Sequence, residues 1–90
     1  MKTLRVFISG IVQGVFFRAF IKEQADKLDL KGHVRNLDDG RVEVVVEGKE
    51  NDVNKMIETC KKGAPYSKVT DIEIEKIENQ GFKEFKIIRF

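Results

Sequence analysis

The spacing of apolar residues switches repeatedly between two and about 3.6 along this chain, and that switching limits the fold more than any other feature. In residues 3–9, TLRVFIS, Leu4, Val6 and Ile8 alternate with Arg5, Phe7 and Ser9, as in a strand with one face in a core. Phe17, Phe20, Ile21, Ala25 and Leu28 then recur at helical spacing over 17–30, opposite Lys22, Glu23, Asp26 and Lys27, and Gly32 is placed to end that helix. HVRNL and RVEVVVEG read as two strands joined by a turn whose Asp-Gly pair supplies positive φ, with Val42, Val44 and Val46 sharing the buried face. Asn51 or Asp52 can cap a second helix running to about Lys62, with Val53, Met56, Ile57 and Cys60 on one stripe and Gly63 and Pro65 closing it. VTDIEIEKI is a further strand, and FKIIRF a short final one.

The order β-α-β-β-α-β with an extra terminal strand predicts an α+β, ferredoxin-like sandwich, with two helices on one face of a mainly antiparallel sheet. A length of 90 residues implies a single domain over 1–90. With 36% charged residues but a net charge of only +2, the interleaved Lys, Arg, Asp and Glu advertise neither a nucleic-acid nor a membrane surface. No apolar stretch approaches the roughly 20 residues of a membrane span, and MKTLRVFISG lacks the features of a signal peptide. The lone Cys60 cannot form an internal disulfide. A cytoplasmic monomer is the expectation.

Function has to come from a site, because this fold hosts many. The informative stretch is GIVQGVFFR, residues 10–18. A helix normally hands its first N–H groups to Ser, Thr, Asp or Asn, and none lies between Gly10 and Phe17. Those amides need water or an anion. Gly10 and Gly14 let the backbone curl so that successive N–H groups converge, and a phosphate-sized anion suits such a helix start. Arg18 in the first turn opposes the helix dipole at a cost of about 0.3–1 kcal/mol, unless an anion is bound, when it becomes the clamp. From spacing alone, a tight reversal with a wet helix end stands as an equal alternative.

GIVQGVFFR resembles the first signature of the acylphosphatase family, and GHVRNLDDGRVEVVVEG resembles its second; the closing FKIIRF is similar to the family's usual ending. The resemblance implies hydrolysis of carboxyl-phosphate anhydrides to a carboxylate and inorganic phosphate, with no metal and no cofactor. By motif position, Arg18 would bind the phosphoryl group, Asn36 would hold the attacking water, and the backbone amides of Ile11, Val12, Gln13, Gly14 and Val15 would cradle the phosphoryl oxygens. The chain departs from many members at His33, where tryptophan is common, and at Leu37, where several carry threonine.

That chemistry needs little apparatus. A carboxylate leaving group, with a conjugate acid of pKa near ~4, departs unprotonated, and phosphoryl transfer asks chiefly for positioning and charge stabilisation. Asn36 has no usable pKa and can only orient water through its carbonyl. Without the resemblance, Asn36 reads as a strand-end turn residue. His33 reads as a surface strand residue, Cys60 as core, and Asp38 and Asp39 as turn formers. Arg35 and Arg41 read as a solvated face, and Phe16, Phe17 and Phe20 as core and loop anchor. A rival from another class is an RNA-binding module of the same fold, since RVFISGI imitates the first-strand motif of such domains with Phe7 as its aromatic; RVEVVVEG, however, offers no aromatic for stacking bases.

Overall fold

The computed structural model describes residues 1–89. Its elements are β1 (Lys2–Ile11), α1 (Val15–Lys27), β2 (Lys31–Asn36), β3 (Val42–Gly48), α2 (Glu50–Lys62), β4 (Lys68–Lys76) and β5 (Phe85–Ile87). The sheet order is β4-β1-β3-β2-β5, antiparallel at every junction except the parallel pairing of β2 with β5. This is the ferredoxin-like sandwich expected from the element order. The FKIIRF strand is shorter than expected, ending at Ile87, and Phe90 lies outside the described residues.

The core follows from the two periods. Leu4, Val6 and Ile8 of β1 and Val42, Val44 and Val46 of β3 meet Phe17, Ile21 and Ala25 of α1 and Val53, Met56, Ile57 and Cys60 of α2 in one buried cluster. Phe20 and Leu28 pack against its margin. As the middle strand of five, β3 is covered on both faces: Glu43, Val45 and Glu47, which point away from the helices, are buried as well.

Three local expectations are corrected. Gly32 does not end α1. The helix closes at Leu28, with Asp29 taking φ +55° and the Leu30 N–H returning to the Ala25 carbonyl at 2.9 Å. Gly32 lies inside β2, where a Cβ would fall 1.8 Å from the Val45 carbonyl oxygen; its absent side chain serves the strand pairing. Nor does Asn51 or Asp52 cap α2, whose N-cap is Lys49 with no side-chain bond. Glu50 and Asp52 instead place negative charge in its first turn, which the helix dipole favours. Gly10, expected to shape the loop before α1, belongs to β1: it sits at a bulge, so close to β4 that a Cβ would lie 2.0 Å from the Lys68 carbonyl oxygen.

Candidate active site

The chain leaves β1 at Ile11 and enters α1 at Val15 through three residues with distinct tasks. Val12 is 1% exposed and pins the loop into the core. Gly14 is the N-cap, with φ 126° and ψ 162°, a backbone region open almost only to glycine. As in α2, no side chain caps the helix, but unlike α2 it has no acidic residue in its first turn. The leading amides of α1 therefore have no side-chain acceptor, and the dipole leaves the end electropositive.

Arg18 lies one turn in, half-buried, and curls back so that its Nε donates to the Gly14 carbonyl at 3.5 Å. Among the described residues no carboxylate forms an ion pair with it. Gln13 reaches the other way. Its Nε2 donates to the carbonyls of Leu37, at 3.0 Å, and Arg41, at 3.3 Å. Those two residues close the β2–β3 turn, the Leu37 N–H donating to the Arg41 carbonyl at 2.8 Å. One carboxamide thus ties the loop to both sides of the hairpin.

Asn36 is the last residue of β2 and pairs with Val42. Strand alternation puts it on the same side as Val34, toward the helices. Its Oδ1 is buried and accepts no hydrogen bond from any described group. A buried acceptor left this way costs about 1–3 kcal/mol unless a donor arrives from outside the protein.

Arg18 and Asn36 line one cleft of about 830 Å³ together with Gln13, Arg35, Leu37, Asp38 and Ile88. The sequence-derived pair is thereby brought to one cleft, and of the expected cradle residues Gln13 lines it with them while Ile11, Val12, Gly14 and Val15 do not. The other loop residues divide: Ile11 is 70% exposed at the strand end, and Val15 is exposed at the helix start. Phe17 is core as expected, whereas Phe16 is not an anchor at all, at 88% exposed.

The face of the sheet away from the helices holds what the sequence reading missed. Glu43 is 5% exposed and stands opposite Arg35 in the β2–β3 register. Its Oε1 accepts from Arg35 Nε at 2.8 Å and from His33 Nε2 at 2.9 Å, and its Oε2 lies 3.6 Å from Arg5 Nε. Burial pushes the Glu43 carboxyl up, but the hydrogen bonds from His33 and Arg35, with the arginine's charge, outweigh it and hold the group below the usual carboxylate value. His33 is accordingly not a bare surface residue: it is packed edge-on to Phe82 and bonded to a carboxylate. The signal available in sequence was the alternation of RVEVVVEG, which sends Glu43 and Arg35 to the same face once the turn fixes the register.

Arg41 and Asp39 are joined at 2.8 Å, and the Asp39 carboxyl is held low by the Arg41 backbone and side-chain donors. The Arg41 guanidinium also sits 4.8 Å over the Phe7 ring and 3.5 Å from Glu73. Phe7, the aromatic on which an RNA-stacking face would depend, thus has a guanidinium stacked on one side of its ring. Among the described residues no three His, Cys, Asp or Glu side chains are grouped to hold a metal ion, and no helix is long and apolar enough to cross a membrane.

The chain has close relatives among known proteins. The sequence model of a family described as Acylphosphatase matches residues 4–87. The chain is similar to an acylphosphatase of Haloarcula marismortui, 48% identical over 82 residues that span 91% of this chain and 90% of the relative. It is also similar to one of Bacillus subtilis, 45% identical over 89 residues and 98% of each chain. The crystal structure of acylphosphatase from Bacillus subtilis superposes with a TM-score of 0.94 at 44% identity, over 99% of this chain and 100% of that one.

Proposed function

The chain belongs to the acylphosphatase family and is an acyl phosphate hydrolase, and on that premise we propose that Arg18 and the amides around Gly14 bind the phosphoryl group while Asn36 aims water at it. The observation that carries this reading is the buried, unpartnered Oδ1 of Asn36 in the same cleft as Arg18.

The division of labour follows from the donor inventory. The guanidinium and the uncapped N–H groups only donate, so they match the equatorial oxygens on which charge is spread during phosphoryl transfer. The Asn36 carbonyl oxygen only accepts, so it holds a water by one hydrogen and leaves the oxygen lone pair directed at phosphorus. The acyl oxygen departs as a carboxylate and requires no acid. Gln13 fixes the distance between the two halves through its bonds to Leu37 and Arg41. On the same reading, residues 1–90 act as a single domain and a cytoplasmic monomer, on a small molecule rather than on nucleic acid.

Turnover of benzoyl phosphate beside that of a simple alkyl phosphate tests the proposal. An alkoxide is a poor leaving group without a proton, so the anhydride should be cleaved and the monoester left largely intact. Comparable rates on both would overturn the mechanism.

A further inference from the structure

The cleft is larger than a phosphoryl group needs, and a second guanidinium lines it. Arg35 and Asn36 are neighbours in β2, so their side chains leave on opposite faces of the sheet. Asn36 is on the helix side, with the water it would orient. Arg35 is on the open side, anchored through Nε to Glu43, yet both contribute to the cleft that wraps the end of the strand. In an in-line displacement the acyl oxygen departs from the side of phosphorus away from the incoming water. Arg35, the second guanidinium of the cleft, lies on the opposite face of the sheet from Asn36 and so stays clear of the position of the water.

Arg35 is built to receive something there. Its side chain is 38% exposed, and among the described residues neither terminal Nη group makes a hydrogen bond. Glu43, nearly buried and also held by His33, is a rigid anchor, so the guanidinium plane is set before a ligand arrives. The Nη atoms present the forked pair of N–H donors that matches a carboxylate. The one carboxylate in the lining, Asp38, is exposed, and no ion pair joins it to Arg35.

We propose that Arg35 recognises a carboxylate on the acyl group, so that the site favours acyl phosphates of dicarboxylic acids over those with a neutral acyl group. This rests on the reading of the cleft as an acyl phosphate site. Leu37 and Ile88, the apolar members of the lining, would flank the carbon skeleton between the two charged ends.

The test compares kcat/KM for 3- and 4-carboxybenzoyl phosphate with that for the matching methylbenzoyl phosphates, rigid pairs in which the carboxylate cannot attack its own anhydride. The wild type should favour the better of the two carboxylates over its methyl partner. Arg35→Gln should lower that ratio about tenfold, and Arg35→Lys, which keeps the charge but loses the fork, should fall between. The ratio does not depend on how much of a variant is folded. A ratio unchanged in Arg35→Gln overturns the proposal. So does a parallel loss on both substrates, which would assign Arg35 to the shared phosphoryl group and leave the acyl phosphate reading intact. Failure of the wild type to cleave any of the four would instead defeat that underlying reading.

Discussion

The side-chain amide of Gln13 donates to the carbonyl of Leu37 at 3.0 Å, the residue directly after Asn36. The loop that would hold the phosphoryl group and the strand end that would orient water are thus joined by a side chain, and the joint can be cut without touching either group. Gln13→Ala should lower kcat by roughly tenfold to a hundredfold, the scale of a misplacement near 1 Å, with a smaller change in inhibition by phosphate. Steady-state kinetics with phosphate as inhibitor measures both, and an unchanged kcat would show that the joint carries no positioning role.

Glu47 is 3% exposed and accepts hydrogen bonds from the Thr3 hydroxyl and from the backbone N–H groups of Gln80, Gly81 and Phe82. Burial pushes its carboxyl up, but these donors outweigh burial and hold it below the ordinary value of 4.5. Because the folded-state pKa is the lower one, the carboxylate's contribution is complete above the unfolded pKa and is lost as pH falls through the folded one. Urea unfolding at neutral and at acid pH should show a shallower acid loss in Glu47→Gln. Glu47→Ala, which strands three backbone donors, should cost about 2–4 kcal/mol at neutral pH. An identical pH dependence in Glu47→Gln and wild type would refute the assignment.

Two glycines with positive φ should respond differently to alanine. At Gly32 the new Cβ meets the Val45 carbonyl at 1.8 Å between two paired strands, and at Gly14 it meets nothing within 4 Å. Gly14→Ala carries backbone strain alone, about 1–3 kcal/mol, whereas Gly32→Ala adds a main-chain clash and should exceed about 3 kcal/mol. Denaturant midpoints for the pair decide it; equal losses would mean that the strand pairing yields more readily than the geometry allows.

Cys60 is fully buried on the apolar stripe of α2, and burial pushes its thiol up to about 12. It should resist an aromatic disulfide reagent at neutral pH in the native protein and react promptly in urea. Rapid modification of folded protein would place the thiol elsewhere.

The elements were legible because their periods are clean: Leu4, Val6 and Ile8, or Phe17, Ile21 and Ala25, can be buried together in only one kind of local structure. Misreadings came where glycine or a polar residue serves a tertiary neighbour. Gly32 looks like a helix stop because nothing local reveals the Val45 carbonyl, and Gly10 looks like part of the loop because nothing local reveals Lys68. At the site, the missing helix cap was visible directly, and the two signatures picked out Arg18 and Asn36. The unpaired state of Asn36 Oδ1, the span of Gln13 to the hairpin, and the Glu43 anchor of Arg35 depend on the register of β2 against β3 and on how closely the loop approaches it. No spacing rule supplies those distances.

The most direct test of the central claim is phosphate affinity measured beside kcat on benzoyl phosphate in Arg18→Ala and Asn36→Ala. Arg18→Ala should bind phosphate much more weakly and lose about a hundredfold or more in turnover; Asn36→Ala should keep phosphate affinity near wild type and lose kcat. Equal losses of phosphate affinity in the two variants, or wild-type turnover without the asparagine, would contradict it.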